Sequence, residues 1–335
     1  MATRPATHAG SWYSASKSEL SRQLDGWLSD VPASTTPIGT VSSQQGSVAI
    51  PHKGARAIIA PHAGYSYSGP AAAWAYKSVD WANAKRIFLL GPSHHHYLDG
   101  VETTQYSHYE TPLGNLEIDH DTVSEIAQSW GIKRMKHDVD DAEHSLEMHL
   151  PYIYKMLALN FPSPLAFPPL TPLLIGSASA STERRIGSLL APYLLDPGTI
   201  FVISSDFCHW GSRFGYTYYQ PPSPHKAVSL QSNSRYSIDY PIHKSIAAVD
   251  MQSMDAVESG SHETFLGQVK ETGNTVCGRH PIGVFMAAVE EARKQGKERG
   301  AEDGNFKFLR YERSSLVSHP RDSSVSYCSA FAVLA

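Results

Sequence analysis

The chain has 335 residues, 28 of them Lys or Arg and 32 Asp or Glu, for a formal net charge of −4. That balance argues against a nucleic-acid binder, which shows a basic excess or stripe, and no run reaches the roughly 18 apolar residues of a membrane-spanning helix. Hydrophobic residues at 41% allow a sizeable core. The three widely spaced cysteines make no disulfide framework, and Met1–Ser11 lacks the apolar stretch of a secretory signal, so a soluble cytoplasmic or nuclear protein with reduced thiols is expected.

Taken in chain order, apolar runs and helical periodicities alternate. Ala57–Ala60 reads as a strand, Gly69–Ser78 as a helix, Arg86–Leu90 as a strand, and Thr122–Trp130 and Glu143–Leu159 as helices. Leu173–Ile175 follows as a strand, Ser181–Leu195 as a helix, Thr199–Ile203 as a strand and Ile282–Gln295 as a helix. Val325–Ala335 is read as an edge strand. Continuous apolar runs of this length suit strands covered on both faces. The alternation predicts an α/β fold with a central, mainly parallel sheet flanked by helices. Composition does not divide and no repeat is visible, so 1–335 is read as a single domain. Residues 31–53 and 220–236, rich in Pro, Ser and Gln, are expected to be flexible insertions, and the proline-rich 160–172 a further loop.

Ligands of such sheets bind beyond the carboxyl ends of the strands, and three predicted strand ends each run into a histidine. Ala57–Ala60 leads to Pro61-His62-Ala63-Gly64, Arg86–Leu90 to Gly91-Pro92-Ser93-His94-His95-His96, and Thr199–Ile203 to Ser204-Ser205-Asp206-Phe207-Cys208-His209. Imidazole is the commonest metal ligand and the usual general base near neutral pH. A lone histidine is more often a hydrogen-bonded structural residue, but coincidence at three strand ends favours a site for His62 and His94. Two histidines and one anionic group would leave positions open for a ligand, as in non-haem iron centres. Asp206, Glu143, Glu147 and the Cys277 thiolate are all candidates for the third donor.

The densest polar segment is Asp141–Pro151. On a helix Glu143 and Glu147 share a face, with His144 and Met148 on the next, although Pro151 must break that helix or start another. The spacing is not that of the His-Glu-x-x-His zinc motif. Cys277 precedes the helix from Ile282, beside Arg279 and His280; a helix N-terminus stabilises a thiolate, whereas Cys208 and Cys328 read as structural. Ser204, Ser205, Asp206 and His209 supply the residue types of a hydrolytic triad but lack the Gly-x-Ser-x-Gly elbow. No nucleotide-cradling glycine motif is present.

Six motifs together resemble the Memo family: His8-Ala9-Gly10-Ser11-Trp12-Tyr13, Ala60–Tyr65, Gly91-Pro92-Ser93-His94-His95, Glu143–Pro151, Ser204–Trp210 and Cys277-Gly278-Arg279-His280-Pro281. The likeness runs from His8 to about Tyr327, and the long loops 31–53 and 220–236 are those expected of a fungal-type member. The resemblance implies a fold similar to class III extradiol dioxygenases, with His62, His94 and Cys277 as ligands of one Fe(II) or Cu(I)/Cu(II) per chain. It also implies His209 and Asp206 as nearby acid/base groups, with His95, His144, Glu147, His149, Arg279 and His280 around the pocket. A thiolate where the dioxygenases use a carboxylate argues against ring cleavage and toward a softer, redox-active metal. Family members are described as metal-binding proteins linked to oxidant production and as adaptors for phosphotyrosine peptides. The implied function is therefore a redox-active metal protein of cell signalling or motility. The alternatives are a non-catalytic peptide- or protein-binding module using the same crevice, and a dioxygenase for an unidentified small molecule.

Overall fold

The computed structural model describes residues 2–231, 240–295 and 303–334. Its centre is a nine-stranded sheet. Four neighbouring strands are parallel, in the spatial order Ala55–Ala60, Thr199–Ser204, Arg86–Pro92, Leu170–Ile175. Val101–Thr103 continues the sheet antiparallel to Leu170–Ile175, and Lys133–Arg134 closes that edge. The fold is thus α/β with a mixed, mostly parallel central sheet, as expected from the sequence.

The four parallel strands are buried along almost their whole length, because alternate residues feed two cores. Ile58, Leu89 and Val202 face one core, covered by helices Lys17–Asp30, Tyr65–Ser78 and Leu150–Asn160 through residues such as Leu24, Ala72 and Ile153. Ile59, Phe88, Leu90 and Ile203 face the other, covered by helices Ala180–Leu194, Ile242–Glu258, His262–Thr272 and Arg279–Gln295 through Ile186, Val257, Phe265 and Phe285. Burial on both faces is why these strands read as unbroken apolar runs.

Three expectations need correction. The C-terminal strand, Ser324–Val333, is not an edge: it lies between Ala55–Ala60 and an antiparallel strand, Phe306–Arg313, that the sequence reading did not identify. Pro172 sits inside a strand rather than a loop; its antiparallel neighbour reaches only Leu173, so the missing N–H leaves no ladder bond unmade on that side. The helix expected over Glu143–Leu159 is two helices, His144–Glu147 and Leu150–Asn160, with Pro151 in the first turn of the second, where its missing N–H costs nothing.

Within 31–53, Ser34–Thr35 pairs with Val48–Ala49, and Thr40 and Ser42 bind Asp255 and Glu258 of the helix Ile242–Glu258. Within 220–236, Val228–Ser229 pairs with Tyr218–Tyr219; residues 232–236 lie outside the described residues. Among the described residues no helix is long and apolar enough to cross a membrane.

Candidate metal centre

The order of the parallel strands carries His62, the Ser204–Asp206 turn and His94 side by side past their carboxyl ends. His62 is buried. Its Nδ1 lies 2.6 Å from Ser204 Oγ, which in turn donates to the Ser145 carbonyl at 2.8 Å. A hydroxyl has one proton and a carbonyl only accepts, so Nδ1 of His62 must be the donor. Its Nε2 is left with a free lone pair, 3.2 Å from Cys277 Sγ. Burial, reinforced by the neighbouring His94 and His144, pushes the His62 pKa well down. The ring is neutral, the state a metal requires.

His94 is oriented by a carboxylate. Its backbone N–H donates to Glu143 Oε2 at 2.8 Å and its Nδ1 lies 2.9 Å from Oε1, so Nε2 is again the free nitrogen. A carboxylate behind a ligating histidine fixes ring and tautomer in many metal sites. Burial pushes Glu143 up, but the hydrogen bonds and charge of His94 prevail and hold it at about 2. His144 stacks on His94 with centroids 4.3 Å apart, and its pKa is lowered to about 3 by burial and by His94. His62, His94 and His144 each offer a nitrogen, and all three atoms lie within 4.8 Å of one another. Three convergent imidazole nitrogens fit a transition-metal ion.

Cys277 meets this group through His62. With His62 Nε2 unprotonated, the thiol donates to it, while the Asp206 N–H reaches Sγ at 3.2 Å. Burial and the Asp206 charge push the thiol up. Gly278 makes this approach possible: a Cβ there would lie 2.3 Å from the Ser204 carbonyl oxygen. Asp206 accepts from the His62 N–H at 3.0 Å and has its pKa raised by burial despite His209. His209 Nδ1 lies 2.9 Å from the Phe207 carbonyl oxygen and 3.2 Å from that of Thr275. Carbonyls only accept, so Nδ1 is the donor.

The centre opens into two lobes that share His94, His209 and Phe214. The larger, about 630 Å³, is also lined by His62, His144, Asp206, Trp12, Tyr67, Arg213 and Tyr327. The smaller, about 480 Å³, is lined by Cys277, Arg279, His280, Asn274 and Thr275. His95 is exposed and touches His144 at 3.3 Å.

Glu147 and His149 are not brought to the cavity. Glu147 binds Arg4, His8 and Tyr13, and His149 packs in the core with its Nδ1 2.6 Å from the Tyr76 hydroxyl. Glu143 is the extended N-cap of the short helix His144–Glu147 and lies outside it, so the shared helical face expected of Glu143 and Glu147 does not form. Cys208 and Cys328 are buried free thiols.

Residues 4–331 match the family described as Memo-like protein. The chain belongs to the Memo family.

Relatives of this Memo-family chain include Protein MEMO1 of Danio rerio, 42% identical over 98% of this chain and 96% of that one. Protein MEMO1 of Homo sapiens is 41% identical over 97% and 95%. Protein memo-1 homolog of Caenorhabditis elegans is 38% identical over 98% and 81%. A crystal structure of an uncharacterized protein from Escherichia coli K12 aligns with a TM-score of 0.43 and 13% identity, covering 82% of this chain and 99% of that one.

In this Memo-family site the sequence reading missed the groups that position the ligands. Ser204 was weighed only as a nucleophile and Glu143 only as a ligand, yet both stand behind histidines. Trp12, 4.6 Å from His144 between ring centroids, and His8, edge-on to Trp12 at 5.5 Å, form a wall contributed by the N-terminal segment. The His-Ala-Gly-Ser-Trp-Tyr motif was its one visible signal.

Proposed function

We propose that this chain is a redox-active iron- or copper-binding protein, with one metal held by His62, His94 and His144 and by the thiolate of Cys277. The observation that carries this reading is the convergence of three imidazole nitrogens within 4.8 Å, with His62 and His94 each tied at Nδ1 so that Nε2 is free. The lowered pKa values of buried His62 and half-buried His144 mean that no proton need be displaced from either ring near neutral pH. A mixed nitrogen and sulfur donor set suits iron or copper over magnesium or calcium, and such a metal supplies one-electron redox chemistry when bound.

The surrounding residues have separate tasks. Asp206 fixes the His62 backbone and contacts Cys277 through its own N–H. His209 lines both lobes, where its ring can exchange a proton with a ligand. Trp12, Tyr67, Phe214 and Tyr327 line the larger lobe with ring surface. The role in oxidant production and signalling is part of the same proposal and is supported by membership of the Memo family.

Anaerobic titration of the full chain with Fe(II) and with Cu(I) tests the assignment. One tight site per chain, lost in His62→Ala and His94→Ala, is expected for at least one of the two metals. Binding by both variants as tight as that of the parent chain would overturn it.

A further inference from the structure

The smaller lobe carries an unusual balance of charge. Arg279, His280, His94 and His209 line it together with Ser93, Ser177, Asn274 and Thr275, and its lining contains no carboxylate. Arg279 is exposed at the start of the helix Arg279–Gln295. Its hydrogen bond runs from Nε to His280 Nε2 at 3.2 Å, and among the described residues no carboxylate lies within ion-pair distance of its guanidinium. A ring nitrogen that accepts from Nε orients the group without pairing its charge with a carboxylate.

His280 is itself held from behind. Its Nδ1 lies 2.6 Å from Glu183 Oε1, and the other carboxylate oxygen of Glu183 takes His262 Nε2 at 2.6 Å. Glu183 and His262 are buried. His280 Nδ1 therefore donates to Glu183, and its Nε2 is fixed as the acceptor for Arg279. The chain Glu183–His280–Arg279 runs from the core to the cavity and leaves the two terminal guanidinium nitrogens for another partner. A fork of N–H donors held in this way matches the two oxygens of a carboxylate or phosphate.

We propose that Arg279 is the specificity-determining residue of the smaller lobe, pairing with the oxyanion, carboxylate or phosphate, of a small-molecule ligand whose body lies beside His94, His209 and Cys277. The inference deepens the metal-centre reading by naming the ligand class, yet pairing with Arg279 itself needs no metal.

The test is calorimetric titration of the full chain, metal-free and metal-loaded, with benzoate, its uncharged counterpart benzamide, and inorganic phosphate. At least one anion is expected to bind the metal-free chain, with benzamide at least tenfold weaker than benzoate if benzoate is the one that binds. Arg279→Gln is expected to weaken anion binding at least tenfold, and Arg279→Lys to restore part of it, with metal stoichiometry unchanged in both because Arg279 is exposed and is not a ligand. Benzoate binding alone assigns a carboxylate ligand, and phosphate binding alone a phosphate. Failure of both anions to bind, equal binding of benzoate and benzamide, or undiminished binding by Arg279→Gln would overturn the proposal. Arg279-dependent anion binding by a chain that takes up no metal would sink the metal reading alone.

Discussion

His62 Nδ1 is committed to Ser204 Oγ at 2.6 Å, and Ser204 is committed to the Ser145 carbonyl. This two-bond chain decides which histidine nitrogen is available to the cavity. Ser204→Ala removes the acceptor and leaves a buried N–H unpaired, at a cost of about 1–3 kcal/mol. The ring then loses its fixed tautomer. Metal affinity is expected to fall by roughly 10- to 100-fold, the usual effect of losing a partner behind a ligating histidine, as read by competition with a chelator of known affinity.

Glu143 and His144 set an acid limit on the fold. Glu143 is held at about 2, below its ordinary 4.5, so its contribution is complete above 4.5 and is lost as pH falls from there toward 2. His144 is lowered from 6.5 to about 3, so between those values the unfolded chain binds a proton that the native chain does not. Both effects make stability fall as pH falls. Urea midpoints of the metal-free chain are expected to drop progressively from pH 6.5 to pH 3, by an amount on the order of a few kcal/mol in unfolding free energy. A flat profile across that window would contradict the lowered pKa of His144.

The pH dependence of metal binding separates the thiolate from the imidazoles. Burial pushes His62 well down and holds His144 at about 3, so neither adds proton release near neutral pH. The Cys277 thiol, pushed up by burial, must lose its proton to ligate. Affinity is expected to rise about tenfold per pH unit between pH 6 and 8 in the parent chain. Cys277→Ser is expected to bind more weakly and to lose most of that slope; an unchanged slope would show that Cys277 is not a ligand.

Arg4 pins the segment that carries His144. It is fully buried and pairs with Asp140 at 3.1 Å and Glu147 at 2.7 Å, while a further bond reaches the Glu143 carbonyl. Arg4→Met leaves two carboxylates buried with a partner removed, a change that costs roughly 3–5 kcal/mol. Chemical denaturation is expected to show that loss, and a decrease below 1 kcal/mol would mean that the network relaxes around the vacancy.

Much of this architecture is legible in the sequence because the four parallel strands are covered on both faces and their apolar runs are unbroken. That regularity puts His62 and His94 each just past the end of a parallel strand, with Thr199–Ser204 between the two strands in the sheet. The choice of Cys277 among the anionic candidates rested on family resemblance, and the structure sets its sulfur against His62. The role of His144 was harder to read. Helical spacing put Glu143 and Glu147 on one face, whereas the helix breaks before Pro151 and the side chain of Glu143 caps a four-residue helix through the Ser145 N–H. The wall built by His8 and Trp12, and the buried Arg4 behind it, join positions about 130–140 residues apart, beyond the reach of any local pattern. The last strand is moved from the edge to the interior by its hairpin partner Phe306–Arg313, a strand the sequence reading did not identify.

The central claim is that one metal occupies the pocket of His62, His94, His144 and Cys277. Its most direct test is metal content per chain after anaerobic loading with Fe(II) or Cu(I) and removal of excess, comparing the parent chain with the double variant His62→Ala, His94→Ala. The account predicts close to one metal in the parent chain and close to none in a folded double variant. Equal content in the two, or none in the parent with either metal, would contradict it.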